Sequence, residues 1–70
     1  MNNPFQNLWG DPKPSIGEGT TIGAFTDIGR GAIIGSNCKI QCFVSIPPGT
    51  LIGDDVFIGP HAGIANHKEI

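Results

Sequence analysis

Isoleucine recurs every six residues through most of this chain: Ile16, Ile22, Ile28, Ile34, Ile40, Ile46, Ile52, Ile58 and Ile64, nine in register without a slip. A fixed internal period constrains the fold more than any other feature. A repeat too small to bury its own apolar face must stack on its neighbours. Six residues cannot hold a helix and a turn, so each unit is a very short strand followed by a corner. The branched Ile side chain suits a pleated surface packed on one side. The residue four after each Ile is Thr20, Thr26, Ala32, Cys38, Val44, Thr50, Val56 or Ala62, before the pattern breaks at Lys68. These small or β-branched residues stand two before the next Ile and share its face of the strand. The interior is therefore expected to carry one large row and one small row.

The corners follow from the glycines. With 11 Gly and 6 Pro among 70 residues, the composition alone would raise the question of low complexity. The glycines instead keep the period. Gly17, Gly23, Gly29, Gly35, Gly53 and Gly59 each follow an Ile, where they are expected to reverse the chain. Three residues after Ile stand Gly19, Gly31, Asn37, Gly49 and Asp55, types that tolerate positive φ. The same position holds Phe25, Phe43 and His61, each three repeat units after the last. A second column at that spacing is Ile33, Leu51 and Glu69, with Phe57 on the adjacent face. An 18-residue coil aligns both columns, and short strands stacked in register form parallel sheets.

Units such as Ile16-Gly17-Glu18-Gly19-Thr20-Thr21 resemble the hexapeptide-repeat family, over residues 16 to about 66. The resemblance implies an all-β fold, a left-handed parallel β-helix of about three 18-residue coils shaped as a triangular prism. Left-handedness rests on the resemblance alone, since ordinary parallel crossovers are right-handed. Residues 1–15 are expected to form an N-terminal cap or arm and residues 16–70 the β-helix. Phe5, Leu8 and Trp9 would plug the first coil or pack on a neighbouring subunit, and Pro4, Pro12 and Pro14 would stop strand growth. Family members are typically homotrimers, and a core this small gains from association. The outward Ile33/Leu51 face is the expected contact.

Charge and cysteine content narrow the partners. Six acids against four Lys and Arg give a net charge of −2, which lacks the basic footprint of a nucleic-acid or anionic-membrane partner. No apolar run approaches the about 20 residues of a membrane-spanning helix, and no basic-then-apolar leader opens the chain. Cys38 falls on the inward small row and Cys42 at a corner. Their directions differ, so a disulfide is not expected. Two free thiols fit a reducing, cytoplasmic compartment.

The C-terminal third carries a narrower resemblance. Asp54-Asp55-Val56-Phe57-Ile58-Gly59-Pro60, followed by Asn66, is similar to the corresponding segment of hexapeptide acyltransferases that modify amino sugars on nucleotide carriers. Lys39-Ile40-Gln41 is similar to the same subgroup. The subgroup then continues with acidic, Pro and Arg residues, where this chain has His67-Lys68-Glu69. The resemblance implies acetyl-CoA as acyl donor, a sugar amine as acceptor, and a site between adjacent subunits. Such transfer needs a proton acceptor and an oxyanion donor, and His suits the first role near neutral pH. The chain has two, His61 and His67. For His61 the plain alternative is a solvent-exposed corner residue stacked on Phe43; for His67 it is a residue of the chain end. Asn66 and Gln41 are the candidate substrate contacts, with turn-holding and solvation as their alternatives. The cations available to CoA phosphates are Lys13, Arg30, Lys39 and Lys68. Two His six apart fall on different edges of one prism and lack a third ligand, so no metal is expected. The competing functional class is a non-catalytic trimeric β-helix serving as a structural or assembly module.

Overall fold

The computed structural model describes residues 6–64 and Ile70, with side chains from Leu8 onward. Among the described residues, nine short strands alternate with corners. They are β1 (Gln6–Leu8), β2 (Ser15–Ile16), β3 (Thr21–Ile22), β4 (Thr26–Ile28), β5 (Ile33–Ile34), β6 (Lys39–Ile40), β7 (Ser45–Ile46), β8 (Leu51–Ile52) and β9 (Phe57–Ile58). Every third strand joins the same sheet, giving three parallel sheets ordered β1-β4-β7, β2-β5-β8 and β3-β6-β9. Ile16 lies against Ile34 and Ile34 against Ile52; Ile22 lies against Ile40 and Ile40 against Ile58. Each rung thus stands three repeat units above the last. The alignment read from Phe25, Phe43 and His61 is the register of the sheets.

The inward rows meet as expected. Ile34 and Ile40 are 2% and 1% exposed, and Ile28, Ile46, Ile52 and Ile58 are also buried. Ile16, Ile22 and Ile64, at the ends of the stack, are half-buried against this core. The small row closes the gaps with Ala32, Cys38 and Val44. Its hydroxyls are satisfied: Thr26 Oγ1 donates to Gln41 O at 2.9 Å and Thr50 Oγ1 to Pro47 O at 2.8 Å. Thr20 Oγ1 donates to Gly35 O and accepts from Cys38 N. Both cysteines are free, with Cys38 buried and its Sγ 3.0 Å from Gly53 O. A buried hydroxyl without a partner would cost about 1–3 kcal/mol, so the small row contributes hydrogen bonds as well as volume.

Three findings refine the sequence reading. First, the glycine after each Ile is not the reversing residue. Positive φ falls two residues later, at Gly19, Phe25, Gly31, Asn37, Phe43, Gly49, Asp55 and His61. Second, the sheet begins before the period does. Strand β1 pairs with β4 at Leu8↔Ile28, an offset two positions longer than the coil that separates every other pair, and Leu8 packs against the core. The segment after β1 is tied down by Trp9 Nε1 donating to Asp27 Oδ2 at 3.1 Å and by Gly31 N donating to Pro12 O at 2.9 Å. Third, Ile70 continues the six-residue step from Ile64. Its N donates to Leu51 O at 2.7 Å and its O accepts from Gly53 N at 2.8 Å, which sets it over Ile52. No helix among the described residues is long and apolar enough to cross a membrane.

Candidate functional site

The three edges of the prism are chemically unlike. One carries Glu18, Ser36, Asn37, Asp54 and Asp55; another carries Arg30, Gly31, Pro47, Pro48 and Gly49. The third is aromatic. Phe25, Phe43 and His61 occupy its corners on successive coils, with φ of 60°, 60° and 64°. A bulky residue at positive φ is uncommon and costs about 1–2 kcal/mol through the contact of Cβ with the carbonyl oxygen. Two forces hold these three in place. The corner amides of the upper two join the coil below, with Phe43 N donating to Ala24 O and His61 N to Cys42 O, both at 3.1 Å. The rings also stack: Phe25 and Phe43 are 5.3 Å apart at 12°, and Phe43 and His61 are 4.9 Å apart at 2°. Such a pair contributes about 0.5–1.5 kcal/mol, the same order as the strain at one corner.

His61 is therefore a fixed ring on an exposed edge, the arrangement read as its plain alternative from sequence. Rigidity of this kind also serves a proton acceptor, since a held imidazole needs no reorientation to act. Gln41 lies on the same edge, two residues before Phe43 and one coil below His61. Its O accepts from Thr26 Oγ1 and its N donates to Ile58 O at 3.0 Å, so its backbone is locked and its half-buried side chain remains for contact. The structure thus brings His61 and Gln41 to one edge. Asn66 and His67 lie outside the described residues. Among the described residues, no group of three or more His, Cys, Asp or Glu is gathered to hold a metal ion. Sequence reasoning missed Trp9 and Asp27 as partners; no repeat position marks Trp9, and only the added strand β1 brings its indole to Asp27.

A stack of six-residue strand-and-corner units with Ile inside defines the class of hexapeptide-repeat β-helices. The model for bacterial transferase hexapeptides (six repeats) matches residues 13–46 and 31–66, and the chain belongs to this family. Curated relatives include the acyl-[acyl-carrier-protein]–UDP-N-acetylglucosamine O-acyltransferases of Brucella ovis and Brucella canis. Each is 35% identical over 52 residues, covering 74% of this chain and 19% of the relative. The chain thus spans about a fifth of the length of these relatives. No solved structure matches it.

Proposed function

We propose that the chain is an acetyltransferase module that moves an acetyl group from acetyl-CoA to the amine of an amino sugar. The observation that carries this reading is the histidine held rigidly in the aromatic stack, on an edge shared with Gln41, in a chain of the transferase hexapeptide family. The folded unit is taken as a left-handed stack of three 18-residue coils, and three such units as the working assembly. Ile33, 52% exposed, lies directly against half-buried Leu51 on one sheet, which gives that assembly an apolar contact face. Two free cysteines fit a cytoplasmic setting.

In the reaction the sugar amine attacks the thioester carbonyl. The new C–N bond forms as the C–S bond breaks, the amine proton passes to His61 or His67, and the CoA thiolate leaves to be protonated. Asn66 orients the acceptor and Gln41 contacts it. The relatives' names carry an acyl-carrier-protein donor and an O-acyl product, so that donor and a hydroxyl acceptor are the first alternatives to assay.

Calorimetry with acetyl-CoA tests the first step: binding is expected, and no heat at millimolar ligand overturns it. His61→Phe then separates roles, because it keeps a ring for the stack and removes the proton acceptor. Turnover should fall with CoA affinity retained; full turnover removes His61 from the mechanism. His67→Ala tests the other candidate in the same way. A second reading, a non-catalytic trimeric scaffold, draws on the apolar Ile33 and Leu51 face alone and gives His61 no role beyond its stack. It predicts trimers that bind neither donor.

A further inference from the structure

We propose that Phe43 is a positioning residue for His61, an inference that rests on the reading of His61 as the acceptor of the amine proton. A general base is ordinarily oriented by a third group, most often a carboxylate that hydrogen-bonds one ring nitrogen. Among the described residues, no side-chain hydrogen bond or ion pair holds the ring of His61. The contact that holds it is the stack, with Phe43 4.9 Å away and the two planes 2° apart.

The stack supplies what the backbone does not. The amide of His61 donates to Cys42 O at 3.1 Å, which fixes where the side chain leaves the coil. The imidazole can still turn about its outermost torsion, whose minima are broad. A parallel contact removes that freedom, because turning the ring drives its edge into the neighbouring face. Phe43 is held in turn: Phe25 lies 5.3 Å from it at 12°, and its own amide donates to Ala24 O. An aromatic face also holds an imidazole differently from a carboxylate. It covers one face of the ring and leaves both nitrogens at the rim, so one can take a proton while the other keeps its own. A carboxylate would occupy one of the two.

The residue type at this corner points the same way. Phe43 has φ of 60°, where Asn37 and Asp55 on the polar edge have 59° and 61°. Asn and Asp tolerate that conformation and a bulky ring does not. Nor does the ring serve the core, since Phe43 faces outward and is 50% exposed. Its stacking only offsets the strain that it brings. A side chain that raises the cost of its corner without filling the interior marks a position kept for what it does to its neighbours. Phe43 belongs to the middle coil, with Phe25 on one side and His61 on the other.

Phe43→Leu is the test, because leucine is apolar, meets the same strain at the corner and has no ring face. Turnover of acetyl-CoA with an amino sugar should fall at least about ten-fold, since small misplacements of a reacting group are that costly. The KM for acetyl-CoA should stay within about two-fold, which separates a positioning loss from a binding loss. Phe43→Tyr restores the ring and should restore most of the turnover. In a His61→Phe background, Phe43→Leu should lower turnover no further, whereas a purely structural role would add its loss to the first. Full turnover in Phe43→Leu, with turnover lost in His61→Phe, overturns the positioning role alone. Full turnover in His61→Phe, or none in the wild type, overturns the reading of His61 and the positioning role with it. Proton NMR of the wild-type chain gives a reading without mutation. The His61 ring protons should lie upfield of their positions in the urea-unfolded chain, through the ring current of Phe43, and unshifted resonances overturn the proposal.

Discussion

The polar edge and the aromatic edge of the prism share one backbone and differ in everything else. Asn37 and Asp55 have φ of 59° and 61°, Phe43 and His61 have 60° and 64°. The corner amides make the same bond to the coil below, at 3.0 Å for Asn37 N to Glu18 O and 3.1 Å for Phe43 N to Ala24 O. Left-handed corners are therefore set by the strands on either side and the bond between coils, rather than by the corner residue. On the polar edge the residue types lower the conformational cost, and Asp54 Oδ1 adds a bond from Ser36 N at 2.8 Å. On the aromatic edge the cost is kept, and a continuous column of three rings results.

Substitutions test how far that contrast goes. The largest effect should come from the frame both edges share: Ile40→Ala removes a buried side chain and should cost about 2–5 kcal/mol in urea denaturation. Loss of only the aromatic contacts at that mutant would show that the edges fold independently and break the comparison. Phe43→Ala comes next. It keeps a Cβ at the left-handed corner and loses both stacks, for an expected cost of about 1–3 kcal/mol. A variant as stable as the wild type would mean that the rings contribute nothing to the fold. On the other edge Asn37→Ala should cost about 1 kcal/mol by raising the strain of the same corner. Smallest of all, His61→Phe should shift the midpoint by no more than about 0.5 kcal/mol, since it replaces one stacked ring by another. A large loss there would assign His61 a structural bond beyond the stack. Sedimentation of Ile33→Glu with Leu51→Glu addresses a sheet face instead of an edge, and should separate the proposed trimer into single chains.

Much of this architecture is legible in the sequence because a six-residue period leaves few choices. The inward Ile and small rows, the 18-residue register and the positive φ at Gly19, Asn37 and Asp55 all follow from spacing and residue type. The other features had physical reasons to stay hidden. Phe25, Phe43 and His61 share the left-handed conformation although their side chains disfavour it, since neighbouring coils override local preference. Leu8 stands eight residues before Ile16 instead of six, and the two added residues disguise it as an inward position. Ile70 keeps the spacing, but the preceding Lys68 breaks the small row and conceals the continuation. Of the candidate site, the sequence identified His61 and Gln41 individually; their common edge emerges once the coils are wound. Asn66 was singled out by resemblance, which carries residue type and order without geometry, and His67 as one of the chain's two histidines.

The constant register has a kinetic consequence. Strand partners are one full coil apart throughout, with only β1 set two positions further from its neighbour. Each pairing after the first closes a loop of nearly the same length, so the entropy lost per step is nearly constant. The first two coils must meet before any strand finds a partner, whereas every later strand adds to a template already in place. Folding should then proceed as growth along a single axis from whichever pair of coils meets first. The slow event is the opening pairing, and an amide's protection against exchange should depend on its distance from the ends of the stack more than on its residue type.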